Sequence, residues 1–206
     1  MKLDFDDMLN YVKNMLVDNN AIKPDNPLHQ FRSRYSHTER VLGWAKRISV
    51  DEECNKDVLY TAAIFHDVGY SKGKKEHAYT SSLIFLDYAK NHNFDQDFSL
   101  FVADIISKHS NKELLEDKNS PIELIFLLEA DLLDEEGALG IGWDLLALGA
   151  SNVDSYYDAI PGLLKHSGHI LNQDYMKTKL AKKYWDEKKE LVRNFIEEFK
   201  KDLFME

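Results

Sequence analysis

The sequence has little cysteine, glycine or proline. Its 206 residues include one Cys, 9 Gly and 4 Pro. The lone Cys54 has no partner for an internal disulfide, which favours a reducing compartment and an inert thiol over a catalytic one. Because short strands joined by tight turns need many glycines and prolines, their scarcity favours helices.

The sequence also lacks long apolar runs and an excess of positive charge. No run is long enough to span a bilayer, and the first residues, "MKLDFDDMLNYVKNML", carry acids where a signal peptide needs basic residues. We therefore predict a cytoplasmic protein with no membrane partner. The net charge of −10 repels a phosphate backbone, so we expect no extended nucleic acid as a partner, whereas a small phosphorylated substrate can bind beside a local cation.

The apolar residues recur with helical spacing along most of the chain, which predicts an all-α protein. We predict an N-terminal helix within residues 1–20, a helical core at 21–145, and C-terminal helices at 146–206 that cover or extend this core. Predicted helices span 36–49, 55–65, 76–91, 96–108 and 121–134, and most of the chain from 143 onward. Ser36 is predicted as an N-cap, Gly69 as a left-handed C-cap, and "EEGALGIG" as a bend.

Histidines and aspartates interrupt these apolar segments. In "AAIFHDVGY" the buried-type run ends at His66 and Asp67, two strong metal ligands whose burial is costly unless a partner compensates them. His37, His77 and His109 also lie at helix edges, and Asp131 lies inside an apolar helix. Imidazoles and carboxylates on facing helices are the ligands with which helical bundles build metal sites.

The order His37, His66-Asp67, Asp131 resembles the H…HD…D signature of the HD-domain superfamily of metal-dependent phosphohydrolases. The flanking strings "HTERV", "AAIFHDVGYSKGKKEHAYTS" and "EADLLDEEGALGIG" also resemble its motifs, over residues 30–145. The resemblance implies a helical HD-domain core at 21–145 in which these four residues bind one divalent metal ion. In some branches further histidines, here His77 and His109, hold a second ion bridged by Asp67. The metal is open among Mn, Fe, Co, Ni, Zn and Mg.

Other charged residues near these motifs suggest further roles. Lys72, Lys74 and Lys75 are candidates for contacting a substrate phosphate, or form a solvated loop. Arg40 is a candidate catalytic residue that grips phosphate or a ligating carboxylate, and Glu76 a candidate general acid or base; either can instead form a salt bridge. Asp134 is a candidate acceptor for a histidine N–H.

The resemblance implies hydrolysis of a small phosphate mono- or diester by metal-activated water, with nucleotides among the candidate substrates and Asp67 at the centre of catalysis. One alternative is a di-iron oxygenase on the same fold, which needs both His77 and His109. The other is a non-enzymatic module that senses a nucleotide. A homodimer is compatible with the sequence.

Overall fold

The fold is all-α, as predicted. A computed structural model describes residues 3–18, 33–151 and 153–205, and these form nine α-helices, three short 3-10 helices and no strand. None of the described helices combines the length and apolar character needed to cross a bilayer. The α-helices are α1 Phe5–Asp18, α2 Arg34–Ile48, α3 Lys56–Phe65, α4 His77–Asn91, α5 Gln96–Lys108, α6 Ile122–Glu135, α7 Ala138–Ala150, α8 Tyr156–Lys165 and α9 Lys179–Asp202.

Side-chain caps set where several helices begin. Asn55 caps α3 by accepting a hydrogen bond from the backbone N–H of Val58 at 3.2 Å. The predicted cap at Ser36 is wrong: α2 begins two residues earlier, because the Ser33 hydroxyl accepts the N–H of Ser36 and places Ser36 inside the first turn. This added turn brings Arg34 into the helix that carries His37.

Gly69 lies at a close approach between two elements and is not a left-handed cap. It belongs to the 3-10 helix Val68–Ser71 that follows α3, and its φ is not positive. A Cβ at this position would lie 2.2 Å from the backbone oxygen of His77 and 2.8 Å from the backbone N of Ser81. Glycine therefore lets the segment after His66-Asp67 lie directly against the start of α4.

The core is built around α3, which packs against α2, α5 and α6. Its residues Ala62 to Phe65 are fully buried. On α6 every residue from Glu123 to Asp131 is buried, including three carboxylates. The metal-ligand candidates on α3 and α6 therefore project from the best-packed part of the molecule.

The C-terminal helices share this core. Trp185 and Val192 of α9 are buried in the same apolar cluster as α3 and α6. Glu129 of α6 accepts hydrogen bonds from the backbone N–H and the hydroxyl of Thr178, at the start of α9. Lys188 of α9 donates at 2.9 Å to the carbonyl of Glu136, just past the end of α6. Two polar contacts thus hold α9 along α6.

The segment predicted as a bend is mostly helix. The chain turns only at Gly137, whose φ is 78°, and α7 begins at the next residue, so Gly140 and Gly142 lie inside a helix. The predicted boundary between 145 and 146 falls within α7. The other predicted boundary, between 20 and 21, lies outside the described residues.

Candidate metal centre

The six predicted ligands lie together, and four of them, all histidines, face the carboxylate of Asp67, just after the end of α3. Its Oδ2 lies 3.6 Å from Nε2 of His37 and 3.7 Å from Nε2 of His66. These two imidazole nitrogens are 3.2 Å apart, and Asp131 Oδ1 lies 3.2 Å from that of His37. His37, His66 and Asp67 therefore form a first group able to hold a metal ion, with Asp131 beside it.

A second group lies on the other side of the same carboxylate. Asp67 Oδ1 is 3.3 Å from Nε2 of His77 and 3.3 Å from Nε2 of His109. These three residues form a second metal-holding group. The two oxygens of Asp67 thus face two different histidine pairs, which is the arrangement of a bridging ligand.

Three of the four histidines are oriented by the same local hydrogen bond. Each lies at a helix end or in a turn, and its Nδ1 bonds the backbone carbonyl three residues earlier: His66 to Ala63 at 2.8 Å, His77 to Lys74 at 3.2 Å, and His109 to Ile106 at 2.7 Å. Because a carbonyl only accepts, Nδ1 carries the proton. The lone pair is left on Nε2, which points at Asp67.

His37 is oriented by side chains instead. Its Nδ1 lies 2.7 Å from Oδ2 of Asp134. Arg40 donates hydrogen bonds to the same carboxylate from Nε at 2.7 Å and from Nη2 at 2.9 Å. Asp134 thus occupies the position predicted for it, behind a histidine. Arg40 binds a carboxylate that orients a ligand rather than a ligating carboxylate, and the catalytic role predicted for it stays a prediction.

Burial and mutual contact give two of the ligands, Asp67 and His66, the protonation states that metal binding needs. Burial alone raises the pKa of Asp67, but His66, His109 and Arg34 outweigh it and hold that pKa far below its usual range. Burial lowers the pKa of His66 to about 4. At neutral pH the central carboxylate is therefore ionised and His66 is a neutral imidazole.

His37 behaves differently in the absence of a cation. Burial lowers its pKa, but hydrogen bonds to Asp131 and Asp134 outweigh burial and raise the pKa to about 9. Burial likewise opposes the ionisation of Asp131, yet Lys112 and His37 hold its pKa well below the usual value. A proton on His37 and a cation at this position therefore serve the same purpose, because each compensates Asp131.

Two cations that the sequence analysis did not single out also contact the centre. Arg34 donates from Nη1 to Asp67 Oδ2 at 2.9 Å, and its guanidinium lies 3.9 Å from the ring centroid of Tyr70. Lys112 donates from Nζ to Asp131 Oδ2. Arg34 lies one helical turn before His37, a spacing that could have identified it. Lys112 follows α5 in a separate 3-10 helix, so no periodicity links it to Asp131.

The remaining candidates lie at the edge of the centre. Lys72, Lys74 and Lys75 are exposed in the loop before α4, and the loop's contribution to the centre is the carbonyl of Lys74. Glu76 is exposed and adopts a left-handed conformation with φ of 56° directly before His77. The roles predicted for these four residues stay predictions.

The chain matches the family model for the HD domain over residues 34–136, half of its length. Among curated proteins, none matches this chain. Solved structures share its fold along nearly all of both chains. An HD-superfamily hydrolase from Bacillus thuringiensis is 21% identical, with a TM-score of 0.73 and coverage of 98% of this chain and 97% of that one.

Two further structures are similar to the same extent. A predicted HD superfamily hydrolase from an uncultured Thermotogales bacterium is 20% identical, with a TM-score of 0.68 and coverage of 96% of this chain and 92% of that one. Bacillus subtilis YpgQ in complex with ADP is 20% identical, with a TM-score of 0.66 and coverage of 97% of each chain. At these identities the likeness shows the fold alone.

Proposed function

Because this chain belongs to the HD-domain family, we propose that it is a metal-dependent hydrolase that cleaves a small phosphate mono- or diester. The observation that carries the proposal is the position of Asp67, whose two carboxylate oxygens face two separate histidine pairs. Four Nε2 atoms and two ionised carboxylates are a donor set that suits divalent transition metals. If only the first group binds an ion, the centre is mononuclear and the same proposal holds.

Each ligand has a defined task in this proposal. Asp67 spans both groups and supplies negative charge to each, while Asp131 supplies charge to the first group only. The backbone carbonyls and Asp134 keep the imidazole lone pairs directed inward. A bound divalent ion supplies a water of lowered pKa and polarises a phosphoryl oxygen.

Arg34 and Lys112 support a phosphate ester as the substrate. Their charged groups lie at the carboxylates of the centre, and their side chains are 27% and 31% exposed. A guanidinium and an ammonium are the side-chain groups that bind phosphate oxygens best. We assign them to the substrate phosphate, with Lys72, Lys74 and Lys75 as outer contacts in the loop.

A nucleotide is the substrate class we favour, and the complex of the similar YpgQ with ADP supports this choice. The acidic net charge of −10 supports a small substrate over a polymer. The scarcity of cysteine supports a cytoplasmic location.

The second candidate is a di-iron oxygenase. The observation that favours it is the second group itself, since His77 and His109 both reach Asp67. Iron as the metal that co-purifies, together with substrate-dependent oxygen consumption, would favour this alternative. A nucleotide sensor would bind a nucleotide tightly and release no product.

The proposal is tested with protein loaded with Mn, Co, Ni, Zn or Mg and assayed on nucleotides and aryl phosphates for phosphate release. We expect turnover in the wild type and a loss of at least about a hundredfold in Asp67→Asn, which keeps the shape of the ligand and removes its charge. His92→Ala is the matched control, because His92 also bonds a backbone carbonyl through Nδ1 and lies near a carboxylate, at Asp7. Turnover that survives Asp67→Asn, or none with any metal, would refute the proposal.

A further inference from the structure

A pocket of about 230 Å³ adjoins the metal centre without including any of its six ligands. Asp134 and Arg40 form one of its walls, and α7 forms another. The separation from the centre is short: Asp134 lies on Nδ1 of His37 at 2.7 Å, and Nε2 of the same ring faces Asp67. One imidazole ring therefore lies between the pocket wall and the metal-binding atoms.

The α7 wall is apolar although it faces outward. Leu139, Gly142, Trp143 and Leu146 line the pocket at positions i, i+3, i+4 and i+7 of one helix face. Leu139 is 54% exposed and Leu146 is 43% exposed. On a surface helix such a face normally packs on the core. Here it borders a pocket beside the centre.

Gly142 leaves room in this wall. A Cβ built at Gly142 would meet no atom within 4 Å, so the space in front of it is open. We call this open space the slot; Leu139, Trp143 and Leu146 line the same pocket. An apolar, partly aromatic lining suits a planar ring, because the ring buries apolar area against it and can stack on an aromatic side chain.

The rim of the pocket is polar and carries positively and negatively charged side chains. Arg40 commits Nε and Nη2 to Asp134, and 38% of its side chain remains exposed. Glu135 is on the same rim, and a carboxylate accepts several hydrogen bonds at once. A donor and an acceptor at the edge of an apolar slot match the edge of a nucleobase, which carries both.

We propose that this pocket binds the base of a nucleotide while its phosphate lies at the metal centre. The inference rests on the proposed function and names the part of the substrate that determines specificity. The volume supports a partial ligand, since sites for whole drug-sized ligands measure ~300–1,000 Å³. The slot takes one ring, and the sugar and phosphate extend toward Arg34 and Lys112.

The test fills the slot and measures binding of adenosine and ribose by calorimetry. Neither compound has a phosphate, so their binding does not depend on hydrolysis. Gly142→Val places a side chain in the slot. Gly149→Val is the matched control, because Gly149 is in the same helix, is exposed, has no atom within 4 Å of a built Cβ and lies outside the pocket.

We expect wild type and Gly149→Val to bind adenosine more tightly than ribose, and Gly142→Val to lose at least tenfold in adenosine affinity. Equal adenosine binding by all three proteins, or an equal loss in both variants, would overturn the inference. A comparison of kcat/KM for AMP and ribose 5-phosphate separates the two proposals. Equal turnover of both esters would refute the proposed base pocket and leave the proposed hydrolase standing. Adenosine binding that is lost in Gly142→Val, without turnover of either ester, would refute the hydrolase and leave the base pocket standing.

Discussion

Removing His109 is the sharpest test of a two-metal centre, because His109 belongs to the second group only. Its Nε2 lies 3.3 Å from Asp67 Oδ1, and its loss leaves Asp67 and His77 as the ligands of that group. Loss of a partner that merely orients a ligand costs about 10–100-fold in metal affinity. We therefore expect His109→Ala to weaken the second ion by at least a hundredfold and leave the first in place.

This weakening has a predictable effect on stability. An ion present at 100 times its Kd stabilises the folded state by about 2.7 kcal/mol, and a hundredfold rise in Kd reduces that to about 0.4 kcal/mol. The difference of about 2.3 kcal/mol corresponds to about 5–9 °C in Tm for a chain of this size. Because His109 is buried, the quantity to compare is the rise in Tm on adding metal to chelator-treated protein, not Tm itself.

The assay combines elemental analysis per chain with metal-dependent melting. We expect two ions in the wild type and one in His109→Ala, with a metal-induced rise in Tm smaller by the amount above. His92→Ala should keep both ions, since His92 lies outside both groups. Two ions retained in His109→Ala, or an equal loss in His92→Ala, would show that the second group does not hold a metal.

Three further predictions concern the support of the centre, the packing at Gly69 and the buried carboxyl of Glu136. Asp134→Asn should lower metal affinity about 10–100-fold, measured by competition with a chelating dye, because the carboxylate holds Nδ1 of His37 at 2.7 Å. Gly69→Ala should destabilise the fold by about 1–3 kcal/mol in denaturant titrations, since its Cβ would lie 2.2 Å from a backbone oxygen. The control Gly43→Ala, in an open helical position, should instead stabilise the fold by about 1 kcal/mol. Burial raises the pKa of Glu136 from 4.5 to about 7, so between these values the folded chain keeps a proton that the unfolded chain has lost. The unfolding free energy should therefore fall between about pH 4.5 and 7 in the wild type, and fall less in Glu136→Gln. Equal slopes of unfolding free energy against pH in the two proteins would refute this.

The helices could be predicted where the apolar spacing is long and regular. The predicted span 96–108 coincides with the observed Gln96–Lys108, because Asp95 caps the helix and apolar residues follow at helical spacing. The same method misplaced the start of α2, because serine is a good cap at either position and the structure uses Ser33 rather than Ser36. Within "EEGALGIG" the glycines suggested a bend, yet only Gly137 needs a positive φ.

The histidines and aspartates that converge at the centre could be selected from the sequence, because their order and flanking strings resemble a known motif. Their division into two groups also follows only from that resemblance, which implies a second ion at His77 and His109 bridged by Asp67. The residues alone do not give it, because it depends on which oxygen of Asp67 each imidazole faces. Gly69 shows a similar ambiguity. Glycine is required both for positive φ and for close approach, and the sequence does not distinguish these needs. Here the close approach to His77 decides.

From the charges at the centre we expect a bound metal ion to replace contacts that cationic side chains make in the metal-free protein. Asp67 and Asp131 are buried, and each already has a cation: Arg34 on one and Lys112 on the other. Unpaired buried carboxylates would destabilise the metal-free fold, so these cations allow it to form before metal arrives. A divalent ion held by His37, His66 and Asp67 would compete with Arg34 for Oδ2 of Asp67 and would add a second cation beside Asp131, which Lys112 already contacts. The guanidinium and the ammonium would then be available to an anion, so a loaded centre would also be prepared for a phosphate.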